Sequence, residues 1–109
     1  MIDVAAFDEL ADSTPVRVDV DGRPVCLVRQ GDAVHALHDV CTHAKASMSE
    51  GFVDDGVIEC PRHGAGFRLD TGEVVTPPAT TALPRFAVEV RDGRVLVDPS
   101  PSHPHPFSD

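Results

Sequence analysis

The chain has 109 residues, nine Lys or Arg against eighteen Asp or Glu, and a formal charge of −9. That length holds one hydrophobic core without room for a second, and the negative field disfavours nucleic acid and anionic membrane surfaces. The N-terminal stretch MIDVAAFDELADS has neither the basic nor the apolar region of an export signal, and no run approaches the ~18 apolar residues of a membrane span, so a cytoplasmic protein without a membrane anchor is expected.

In chain order, AAFDELADS carries only a weak helical periodicity. VRVDV and PVCLVR then flank Asp21-Gly22, the dipeptide of a tight hairpin between apolar runs. AVHALHDV alternates as a further strand. GVIEC and GFRLDTGEV supply a strand and a strand-turn later in the chain, and AVEVR and VLV are joined through Asp92-Gly93. The pattern predicts an all-β domain over residues 1–98. Its core is aliphatic, since the chain has five Phe but no Trp or Tyr. The Pro/Ser-biased end, PSPSHPHPFSD at 99–109, predicts a disordered tail.

Between these strands lie two loops of matching composition. Cys41 and His43 are two apart, sixteen residues intervene, and Cys60 and His63 are three apart. Each residue alone reads as a buried thiol or a solvated imidazole, but the ordered set of four does not. A mononuclear zinc site takes two thiolates and two imidazoles, yet its usual spacing puts Cys with Cys and His with His. A [2Fe–2S] centre in which one iron takes two thiolates and the other two imidazoles accounts for one of each per loop. A zinc-stabilised β binding module stays open at this point, and an absorption spectrum separates the two.

These motifs, with DGRPVCLVR, DVCTHA, MSEG, ECPRHGAGF, TGEV and PPATTALPRFAVEV around them, give a sequence that resembles the Rieske-type [2Fe-2S] ferredoxins along most of its length. The resemblance implies the Rieske fold, an antiparallel β base with an inserted smaller cluster-binding subdomain at about 40–71. It implies Cys41 and Cys60 on one iron, and His43 and His63 on the other, more exposed iron. It also implies that Gly64 and Gly66 let the backbone approach the cluster, and that Pro77 and Pro78 belong to a covering segment.

The membrane-anchored respiratory and photosynthetic relatives of that family add a disulfide cysteine in each loop, where this chain has Ala46 and Arg62. The oxygenase large subunits add a catalytic domain for which there are no residues. What the resemblance then implies is the soluble ferredoxin component of aromatic-ring-hydroxylating dioxygenases. Such a component is not itself an enzyme and carries one electron at a time from a flavin-dependent ferredoxin reductase to a terminal Rieske non-haem iron oxygenase. A nitrite reductase small subunit and a ferredoxin of iron-sulfur assembly share the same pattern.

The other candidates read as follows. Cys26, in a strand without a nearby partner in sequence, is a packed thiol and not a ligand. His35 and His38 fall on opposite faces of one strand, which argues against joint ligation. His103 and His105 belong to the expected tail. Lys45 and Arg62, the basic residues inside the two loops of an acidic chain, are candidates for partner contact. High-potential members of the family carry Ser and Tyr hydroxyls at the positions of Ala65 and Phe67, so a potential near the low end of the range, about −150 mV, is expected here.

Overall fold

The computed structural model describes every residue except Ala44, His63, Ser108 and Asp109. Among the described residues, antiparallel strands form three sheets. One holds β1 (Ile2–Ala6), β10 (Val88–Arg91) and β11 (Arg94–Val97) in the order β1-β11-β10. A second holds β2 (Val16–Val20), β3 (Arg23–Gln30), β4 (Ala33–His38) and β9 (Arg85–Phe86) in chain order. The third, β5 (Phe52–Asp54), β6 (Val57–Glu59), β7 (Gly66–Arg68) and β8 (Val74–Thr76), is built entirely from the insertion between β4 and β9.

Three Asp-Gly pairs close hairpins. Asp21 and Gly22 have φ of 52° and 82°, Asp55 and Gly56 50° and 76°, and Asp92 and Gly93 51° and 76°. Positive φ at both central residues is the turn whose twist matches right-twisted strands, and Asp followed by Gly is among the few pairs that tolerate it. Register follows directly, with Val20 opposite Arg23, Asp54 opposite Val57 and Arg91 opposite Arg94. The weakly helical AAFDELADS segment instead supplies the end of β1 and one 3-10 turn, Phe7–Glu9. Pairing of β1 with β11 outweighs a helical preference too short to nucleate on its own.

The second sheet is the wall between two cores. On β3, Val25 and Leu27 face one apolar cluster, with Val20, Ala36, Phe86, Val95 and Val97, while Cys26 and Val28 face the other. A strand buried on both faces reads as a continuous apolar run, as VCLV does. The second cluster joins Leu37 of β4 to Met48, Ile58, Phe67, Leu69 and Leu83 of the insertion. Each fully buried Val or Leu contributes roughly 2 kcal/mol through area removed from water, so the insertion is held to the wall by this core.

The C-terminal segment differs from its compositional reading. In place of a disordered tail, residues 99–107 double back along the molecule. The Arg85 N–H donates to Ser102 Oγ at 2.9 Å, the Ser102 N–H to the Arg85 carbonyl at 2.8 Å, and His103 Nε2 to the Ala82 carbonyl at 3.0 Å. His105 is buried. Specific side-chain partners, which composition does not register, compensate the entropy of ordering this segment. Among the described residues no helix is long and apolar enough to cross a membrane.

Candidate metal centre

Asp39, directly after β4, organises the first loop. It is 2% exposed, and its carboxylate accepts the Ser47 hydroxyl at 2.6 Å and the Ser49 N–H at 2.9 Å. The Asp39 carbonyl accepts the Met48 N–H, and Val40 bridges Ser47 in the antiparallel sense. The loop 40–47 is thus closed at its base by a buried carboxylate. Just inside that bridge the Cys41 N–H donates to the Ala46 carbonyl at 3.0 Å, and the His43 N–H points at Cys41 Sγ at 3.5 Å. Cys41 is buried and His43 exposed.

The second loop, between β6 and β7, repeats that closure. The Cys60 N–H donates to the Ala65 carbonyl at 2.8 Å, again five residues on, and the Gly64 N–H donates to the Cys60 carbonyl at 3.2 Å. Gly64 has φ +73°, in the left-handed region a side chain rarely adopts. Gly66 has another reason for lacking a side chain: a Cβ there would stand 3.2 Å from both Thr76 Oγ1 and Val57 Cγ1. His63 lies outside the described residues.

Cys41 and Cys60 are buried in the same apolar cluster, with Ala65 and Phe67 beside them. Among the described residues no three His, Cys, Asp or Glu side chains gather around one metal position. The donor set fits a [2Fe–2S] group, since mixed ligation asks each iron for only two protein ligands. An amide aimed at a thiolate sulfur is also what such a group requires from its loops.

The segment after β8 covers the first loop. It passes through exposed Pro77 and Pro78, joined by a cis peptide, and then buries Ala79 and Leu83. The Thr42 hydroxyl donates to the Thr81 carbonyl at 2.6 Å, and the Leu83 N–H to the Gly72 carbonyl at 2.8 Å. Lys45 and Arg62, both exposed, line one cleft of about 270 Å³ between the loops, with Glu50 and Pro61.

Cys26 shares the apolar cluster of Cys41 and Cys60, and the two histidines of β4 stand outside it. Cys26 is fully buried in β3, and burial pushes its thiol far above the ordinary range, reinforced by the charge of Asp39. His35, half-buried, is hydrogen-bonded to Gln30 at 3.2 Å, and desolvation lowers its pKa against the opposing charge of Asp70. His38 is buried, and its Nδ1 accepts the Val40 N–H at 3.1 Å. Sequence reasoning passed over Asp39. Its signal was an acid two residues before Cys41 with serines eight and ten residues on.

The Rieske [2Fe-2S] domain family matches residues 1–87, and the chain belongs to that family. Its cofactor is accordingly a Rieske-type [2Fe–2S] cluster, which sets aside the zinc-stabilised module. The chain is 43% identical to ferredoxin CarAc of Metapseudomonas resinovorans over 95 residues, covering 86% of this chain and 89% of that protein. Its fold is similar to the ferredoxin of carbazole 1,9a-dioxygenase from Nocardioides aromaticivorans IC177, with a TM-score of 0.89, 35% identity, and 91% and 97% of the two chains covered. A chain from a complex of reduced oxygenase and oxidised ferredoxin in carbazole 1,9a-dioxygenase matches with TM-score 0.89, 39% identity, and 94% and 96% coverage. The first two of these relatives bear the names of ferredoxins and not of catalytic subunits.

Proposed function

We propose that Cys41 and Cys60 ligate one iron of the cluster and His43 and His63 the other, and that the protein carries single electrons from a flavin-dependent reductase to a terminal Rieske non-haem iron oxygenase. The observation that supports the ligand assignment is the repeated loop closure, Cys41 to Ala46 and Cys60 to Ala65, with a buried thiol at the start of each loop and both thiols in one apolar cluster. When bound, the cluster supplies a one-electron couple.

The chain's own residues divide the remaining work. Asp39, Ser47 and Ser49 tie the base of the first loop together beside Cys41. The His43 N–H lies against the Cys41 sulfur, where it favours the more negative form. Exposure of His43 leaves the imidazole side accessible to a partner, while the apolar cluster screens the thiol side from water. Lys45 and Arg62, exposed in the cleft between the two loops, suit an acidic partner surface.

The carrier role is tested by mixing the reduced protein with a purified terminal oxygenase of this class in a single turnover. Oxidation of the ferredoxin in step with product formation, and its re-reduction by NADH only when a flavin reductase is present, are expected. Reduction by the reductase without onward transfer to any such oxygenase would overturn the role.

A further inference from the structure

The last residues of the chain reach the peptide unit immediately before the first cysteine. His105 Nε2 lies 2.8 Å from the Val40 carbonyl, and because a carbonyl only accepts, Nε2 carries the proton and donates. The Phe107 N–H donates to His105 Nδ1 at 3.2 Å, so that nitrogen carries a lone pair. Together the two bonds fix one neutral tautomer. On the other side of the same residue, the Val40 N–H donates to His38 Nδ1 at 3.1 Å. The two imidazoles stack with centroids 4.4 Å apart, and the Phe107 ring meets His105 edge-on at 4.6 Å. Both polar groups of Val40 are therefore held by histidine, one from β4 and one from the C-terminal segment.

We propose that His105 is a positioning residue for the cluster, the working end of a C-terminal clasp that fixes the orientation of the first ligand loop. With its carbonyl held by His105 and its N–H by His38, the backbone at Val40 cannot rotate without breaking one bond, and Cys41 follows directly. The clasp is anchored upstream, where Ser102 is bonded to Arg85 and His103 to Ala82, so His105 is presented by a segment that is itself tied down. Neighbouring Thr42 is held independently through Thr81. The clasp lies beyond residues 1–87, the stretch that the Rieske domain family matches. This inference rests on the assignment of Cys41 as a ligand.

The test uses the holoprotein and separates the hydrogen bond from the ring. His105→Phe keeps an aromatic ring beside His38 but has no donor for Val40. His105→Gln has an Nε2–H of similar reach and no ring. The readouts are the rate of cluster loss, followed by visible absorption in the presence of an iron chelator, and the electron paramagnetic resonance spectrum of the reduced protein. His105→Phe is expected to lose its cluster about fivefold faster, the effect of one hydrogen bond, and to show shifted g-values. His105→Gln is expected to restore both. Deletion of residues 104–109, which leaves the Ser102 and His103 anchors in place, should reproduce the Phe phenotype and serves where His105→Phe fails to fold. A Phe variant and a deletion that match the wild type in both readouts would overturn the clasp. So would a Gln variant as impaired as the Phe variant. Neither result touches the ligand assignment, which is read separately from the iron content of the Cys41→Ala variant.

Discussion

Asp39 accepts the Ser47 hydroxyl at 2.6 Å while being 2% exposed, and with the Ser49 N–H it closes the first loop around a buried negative charge. Removing the acceptor leaves a buried N–H and a hydroxyl to find new partners, and bonds to a charged group are the costly ones to lose. Asp39→Ala should destabilise the protein by about 3 kcal/mol, measured by urea unfolding. Asp39→Asn keeps an oxygen for the Ser49 N–H and should cost less than half as much. Equal losses for the two variants would mean that charge, not loop closure, is what Asp39 contributes.

Ala65 and Phe67 are both fully buried around Cys60. Hydroxyls there would donate toward the cluster sulfurs and favour the reduced, more negative form. A hydrogen bond that gains about 1 kcal/mol on reduction is worth on the order of 40 mV for a one-electron couple. Ala65→Ser and Phe67→Tyr should each raise the potential by some tens of millivolts from a wild-type value of about −150 mV. Redox titration decides it, and a wild-type value near +300 mV or a fall in both variants contradicts the account.

Cys26 offers an internal control. Its thiol is buried and its pKa is pushed far up, so the reactive thiolate is absent at ordinary pH. In the folded protein, alkylation at pH 8 followed by mass spectrometry should leave Cys26 unmodified, and Cys26→Ala should keep its cluster. Prompt labelling of Cys26 would show that β3 opens far more readily than its burial implies.

His105 should make stability pH-dependent. Burial lowers its pKa first and foremost; the bond to the Val40 carbonyl opposes that shift and the charge of His103 adds to it. His38 and the cleft-lining Arg23 also face it. A depressed imidazole pKa means that the unfolded chain binds the proton more tightly. The stabilisation is therefore complete above about pH 6.5 and lost as pH falls below that value toward the folded pKa. Thermal unfolding from pH 7.5 to 5 should show a steeper decline for the wild type than for His105→Gln, with the residual slope shared by His35, also lowered by burial. Parallel curves would rule out His105 as the source.

Lys45 and Arg62 share one cleft between the loops. Reversing either to Glu should slow electron transfer to the partner severalfold at low ionic strength, with the difference shrinking as salt is added. Stopped-flow rates measure this, and the visible spectrum should stay unchanged. Rates that do not move would remove both residues from the docking surface.

Much of this molecule is legible in its sequence because its punctuation is local. Asp21-Gly22 and Asp92-Gly93 announce their hairpins, since the turn demands those residues whatever surrounds them. The third sheet is a continuous insertion, so its strands follow one another as GVIEC and GFRLDTGEV suggest, although the sheet runs past the expected limit at residue 71 to Thr76. What escapes is what depends on distant partners. Asp39 looks like any loop acid until Ser47 and Ser49 fold back on it. PSPSHPHPFSD has the composition of a solvated tail, yet His103 and His105 find the carbonyls of Ala82 and Val40, which lie 21 and 65 residues away in the chain.

The central claim is that two thiolates and two imidazoles, one of each per loop, hold the cluster. Iron and acid-labile sulfide analysis of Cys41→Ala, His43→Ala, Cys60→Ala, His63→Ala and Cys26→Ala tests it most directly. The account predicts about two irons and two sulfides per chain in the wild type and in Cys26→Ala, with the cluster lost or severely destabilised in the other four. A full complement of iron and sulfide with an unaltered spectrum in His43→Ala or His63→Ala would contradict it.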